Sequence, residues 1–135
     1  MLVQQEMKKN RNLYKTTKQK VEYPKEIYLS ETDRITYVYK RDVRKTIIEV
    51  TNVSYEIKIH DNWITIIRYD SSHGYLHRHL VISLENSDTT PSTIGIEKKG
   101  THEQWLTWSI NDIKKHYQAY RKGFLQRSKI LDIDN

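Results

Sequence analysis

The sequence predicts an α+β fold: an antiparallel meander of about four to six strands with one long C-terminal helix packed on one face. Residues 26–84 carry short β-branched and aromatic runs in which apolar and polar residues alternate, separated by turn formers. From Thr101 onward the apolar residues instead recur every three to five positions, the period of a helix. At 135 residues the chain is long enough for one core and too short for two.

Residues 1–25 read as a basic N-terminal arm, partly helical or disordered. Lys8, Lys9, Arg11, Lys15, Lys18, Lys20 and Lys25 face only Glu6 and Glu22, and the apolar residues form no sustained stripe. The single α+β domain then spans 26–135. EIYLS, RITYVYKR and TIIEV are its first strands, with RDVRK as the turn before the third. VSYEIKIH places Val53, Tyr55, Ile57 and Ile59 on one side and Ser54, Glu56, Lys58 and His60 on the other. Asp61-Asn62 is a two-residue turn signal, WITIIRY the next strand, DSSHG a glycine-bearing loop, and YLHRHLVISLE the third strand of the meander. NSDTTPS is a loop, and TIGIE a last edge strand.

Thr101 with Gln104 three residues later matches a capping box, so the helix starts there and runs to about residue 127. Trp105, Trp108, Ile113, Tyr117, Tyr120 and Phe124 form its apolar stripe; Lys114, Lys115, Arg121 and Lys122 fall on the solvated face.

There is no cysteine, which excludes disulfides, thiolate metal sites and cysteine nucleophiles. No apolar run approaches the ~20 residues that span a bilayer, and MLVQQEMKKN lacks the apolar core of a signal peptide. A cytoplasmic protein without membrane attachment is expected. The formal charge of +6 favours an acidic partner such as RNA or another nucleic acid.

The densest chemistry lies in residues 68–79, RYDSSHGYLHRH, which hold three of the six histidines. If Asp61-Asn62 is the turn, His60 pairs with Trp63 and Tyr55 with Arg68. If DSSHG is the next loop, Tyr69 pairs with Tyr75, Ile67 with His77 and Thr65 with His79. Ile57, Ile59, Ile64, Ile66, Leu76, Leu80, Ile82 and Leu84 then share the helix face. Glu56, Lys58, His60, Thr65, Ile67, Tyr75, His77 and His79 share the polar one. This register sends Arg68 and Arg78 toward the apolar face. A loop one residue shorter sets Asp70 opposite Tyr75 and turns Arg68 to His77.

Three chemistries suit these residues. Metal-independent RNA cleavage needs a base, an acid and a cation. His73, His77 and His79 are the proton-transfer candidates, Arg68 the phosphate clamp and Asp70 the residue that orients a ring. Tyr69 and Tyr75 would stack bases, with Arg78, Lys58 and Glu56 as further substrate contacts. The second is a divalent metal such as zinc on His73, His77 and His79, spaced His-x3-His-x-His, with Asp70 beside them. The third is a module that binds nucleic acid or an acidic protein without catalysis. Against all three stands a polar hairpin with solvated histidines. Burial of both His77 and His79 away from Arg68 and Asp70 would exclude both catalytic readings.

The same stretch resembles TumE-type toxins of prokaryotic toxin–antitoxin systems and related small families of unknown function. The matching positions are Arg68, Tyr69, Asp70, His73, Gly74, His77 and His79. The likeness covers roughly residues 55–84, more loosely the tryptophan-bearing helix, and not the arm. It implies a toxin acting on RNA or translation, silenced by a small antitoxin protein.

Overall fold

The computed structural model describes residues 21–72, 74–86, 94–95 and 99–131. Six strands, β1 (Val21–Tyr28), β2 (Asp33–Arg41), β3 (Ile47–Ile59), β4 (Asn62–Asp70), β5 (His77–Leu80) and β6 (Ile94–Gly95), form one antiparallel sheet in sequence order. One helix, α1 (His102–Arg127), follows and packs chiefly on β3. The fold is the α+β meander-plus-helix that the periodicities predict. No helix among the described residues is long and apolar enough to cross a membrane.

Strand β1 begins at Val21, so residues 21–25 of the basic arm belong to the sheet; residues 1–20 lie outside the described residues. TIIEV and VSYEIKIH are not two strands but one, β3. Register shifts between Val38 and Tyr39, and between Lys40 and Arg41, let the long strand stay paired with β2 while it bends. A third shift, between Tyr55 and Glu56, makes Ile66 of β4 an extra residue against β3. The turn between β3 and β4 is His60-Asp61, one residue earlier than Asp61-Asn62, and Ile59 pairs with Asn62. Both turn residues have positive φ, 49° and 64°, as a tight hairpin matched to strand twist requires.

The core lies between α1 and one sheet face, with Ile35, Val53, Tyr55, Ile57, Ile67, Tyr69, Ile113 and Phe124 almost fully buried. Helix α1 starts where its capping box predicts: the Thr101 hydroxyl accepts from the Gln104 amide, and the Gln104 side chain accepts from the Thr101 amide. Its polar residues are not all solvated. Arg121, expected on the outer face, is 5% exposed and pairs with Asp33 at 3.1 Å. Asp33 also accepts from the Tyr55 hydroxyl. A second polar contact joins helix to sheet at Asp112, which accepts from the hydroxyls of Tyr69 and Tyr120. Burial, and then the adjoining carboxylate, pushes the Tyr55 and Tyr69 phenols far above their usual range, so both stay protonated donors. A helix laid on tyrosines needs such partners, because a phenol buried without one loses its hydrogen bond to water.

Candidate functional site on the open sheet face

The strand register decides which side chains meet on the face that α1 leaves uncovered. Strand β5 pairs with β4 so that Arg68 opposes His79 and Asp70 opposes His77. The loop is therefore longer than DSSHG: residues 71–76 connect the strands, and Gly74 takes a φ of +86° within it. Both earlier pairings, Tyr69 with Tyr75 and Asp70 with Tyr75, are superseded. Residues opposite each other share a face, so Arg68, Asp70, His77 and His79 all project from the same side. Ser54, opposite Arg68, and Glu56, opposite Thr65, extend that side onto β3.

Asp70 is held at both oxygens. One accepts from the Ser72 hydroxyl at 2.9 Å and from the Ser72 amide at 3.3 Å, which ties the carboxylate to the start of the loop. The other lies 3.1 Å from Nε2 of His79. A carboxylate only accepts, so the bond puts the hydrogen on Nε2 and leaves Nδ1 as the basic nitrogen. Both side chains remain partly open, at 18% and 15% exposure. Arg68 is exposed and makes no ion pair among the described residues. Next to these groups is a groove of about 560 Å³, lined among others by Asn52, Ser54, Glu56, Thr65, Arg68 and His79.

The remaining predicted site residues divide. His77 is on this face but only 7% exposed, with the half-exposed Tyr75 ring over it at 3.9 Å and the His79 ring 6.4 Å away. His73 lies outside the described residues. Among the described residues no group of three acids and histidines is placed to hold a metal ion. Glu56 accepts from Arg34 at 2.6 Å and from Thr36 at 3.1 Å, which makes it a strut of the face. Lys58 is farther along β3, with Nζ 5.8 Å from the Trp63 ring.

Tyr69 and Arg78 are on the other side of the sheet. Opposite one another in the register, they point under α1, where Tyr69 is fully buried edge-on to Trp108. Burial depresses the Arg78 guanidinium, but its bond to Tyr69 and the nearby Asp112 outweigh that and leave it raised. Tyr69 cannot stack a base from there, and the partly buried Arg78 is turned away from the Asp70–His79 pair. Ile67, assigned to the polar face, is likewise fully buried on the helix side. The extra residue Ile66 inverts the faces, and no alternation in the sequence announces it.

Sequence reasoning also missed a cluster at the other end of this face. Arg34 sits over the Trp63 ring at 4.2 Å, and Tyr28 meets the same ring edge-on at 6.2 Å. Trp63 adjoins a turn signal, and only the pairing of four strands puts Tyr28 and Arg34 beside it.

No curated protein and no solved structure matches the chain. A family model, Domain of unknown function (DUF7718), matches residues 5–130, nearly the whole length, and the chain belongs to that family.

Proposed function

We propose that the open sheet face binds RNA and cleaves it without a metal ion. The observation that carries this reading is the Asp70–His79 pair at 3.1 Å beside the exposed Arg68, at the edge of a groove. His79 would take the proton from a ribose 2′-hydroxyl. The 2′-oxygen then bonds to phosphorus, and the bond to the 5′-oxygen breaks, giving a 2′,3′-cyclic phosphate and a 5′-hydroxyl. Arg68 is the exposed cation for the charge that gathers on the phosphoryl oxygens. The leaving oxygen needs a proton, and the ring beside His79 on this face is His77. The likeness of residues 68–79 to TumE-type toxins agrees with an RNA target. An acidic antitoxin-like protein lying over this face would shut the groove.

The test incubates labelled RNA with the protein and with His79→Ala, His77→Ala and Arg68→Ala variants, with and without chelator. Cleavage that survives chelator and falls by about 10²- to 10⁴-fold in His79→Ala is expected. Equal activity of His79→Ala and the parent, or intact RNA throughout, would refute the catalytic reading. Loss on chelation would refute its metal independence.

A further inference from the structure

The cluster of Tyr28, Arg34, Trp63 and Lys58 lies on the same open face as His79 and Arg68, and the register shows how it is built. Tyr28 of β1 opposes Arg34 of β2, Arg34 opposes Glu56 of β3, and Lys58 of β3 opposes Trp63 of β4. Four consecutive strands thus contribute one side chain each. The cluster is stiff. Glu56 fixes Arg34 at 2.6 Å, the guanidinium carbon sits over the Trp63 ring at 4.2 Å, and Trp63 braces the Tyr28 ring edge-on. Yet Tyr28 is 56% exposed, an aromatic ring held in place and left in solvent. Lys58 makes no ion pair among the described residues.

A braced, exposed aromatic ring, with a lysine near the same tryptophan that makes no ion pair among the described residues, is what a nucleobase and its phosphate recognise: the ring offers a stacking surface to any base, and the cation attracts the backbone. From Ser54, opposite Arg68, to Lys58 along β3 is about 13 Å at the rise of a strand. An extended single strand spans that distance in a few nucleotides, whereas the bases of a duplex are already stacked on each other and cannot lie on Tyr28. We propose that Tyr28, braced by Trp63 and Arg34, is a stacking subsite for one base of a single-stranded RNA whose backbone passes Lys58 on its way to Arg68 and His79. The proposal rests on the RNA-cleavage reading for the identity of the second site, but its binding test does not.

The test uses the His79→Ala protein, so that RNA is bound and not cut, and a labelled single-stranded oligouridylate of about ten nucleotides, long enough to reach both sites. Adding Tyr28→Ala should weaken binding by roughly 5- to 150-fold, the range of one base–aromatic stack, while Tyr28→Phe keeps the ring and the affinity. Binding of a fully abasic strand of equal length should be unchanged by Tyr28→Ala. In the protein with His79 intact, Tyr28→Ala should cut a dinucleotide as fast as the parent, since a dinucleotide does not reach the subsite. Undiminished oligouridylate binding in Tyr28→Ala overturns the proposal, as does an equal loss on the abasic strand, which would mean that the ring shapes the surface without stacking. If the parent cuts neither substrate, the cleavage reading fails, while a base-dependent loss in Tyr28→Ala still upholds the subsite.

Discussion

Removing Arg121 should destabilise the protein far more than removing its neighbour Lys122. Both read as surface cations in the sequence, and a surface truncation costs at most about 0.5 kcal/mol. The fold instead buries the Arg121–Asp33 pair at 3.1 Å, with 6% of each side chain exposed. At an effective dielectric of about 20 the gross attraction at that distance is about 5 kcal/mol. Deleting one partner of a buried pair strands the other charge, at a cost of about 3–5 kcal/mol. Asp33 keeps donors from Ser30, Thr32 and Tyr55, so the lower end is expected, about 3 kcal/mol for Arg121→Met. That corresponds to a fall in Tm of roughly 10 °C in a domain of this size. Urea unfolding of the parent, Arg121→Met, Lys122→Met, Asp33→Asn and the Asp33→Asn/Arg121→Met double variant completes the cycle. The double variant should lie at least about 1 kcal/mol above the sum of the singles, because neither charge is left alone. A cost for Arg121→Met no larger than for Lys122→Met would show that the pair is solvated and the reasoning unsound.

Two further outcomes follow from local geometry. His60→Asn with Asp61→Gly should raise stability by about 0.5–1 kcal/mol, because both positions have positive φ and Asn-Gly adopts that turn with the least strain; an unchanged or lower urea midpoint would contradict it. His102 lies at the start of α1, with Nδ1 3.0 Å from the buried Ser71 hydroxyl, and burial lowers its pKa, with Glu49 opposing. A histidine whose folded value lies below its unfolded one resists protonation, so its contribution is complete above the unfolded value near 6.5 and is lost as pH falls through the folded one. The Tm of the parent should therefore drop more between pH 7 and pH 5 than that of His102→Gln, and parallel curves for the two would refute this assignment.

How much of the open face could be read in advance depended on register. The concentration of Arg68, Asp70, His77 and His79 in one stretch is visible in the residues themselves. Whether they share a face is not, because it turns on the length of the loop at 71–76, where serines and a glycine suit several turn lengths. The observed loop turns Arg68 and Asp70 toward the histidines. It also sends Tyr69 and Arg78 to the helix side of the sheet, away from the Asp70–His79 pair with which composition alone had placed them.

By itself the sequence determined the element types and their order, though not that TIIEV and VSYEIKIH are one strand or that the sheet begins at Val21, since a period of two, a period near 3.6, a Thr–Gln cap and the turn residues are all local signals. It could not locate the register shifts at Tyr55/Glu56 and Val38/Tyr39, because a bulge breaks the alternation by a single residue and any side chain tolerates it. Only the tertiary structure decided which polar residues are buried. Asp33 and Arg121 lie inside, and Asp112 is partly covered, because tyrosines and opposite charges from distant strands meet them there, and that pairing is a property of the packed sheet and helix. The same packing brought Tyr28, Arg34 and Trp63 together from three strands, a juxtaposition that no single segment encodes.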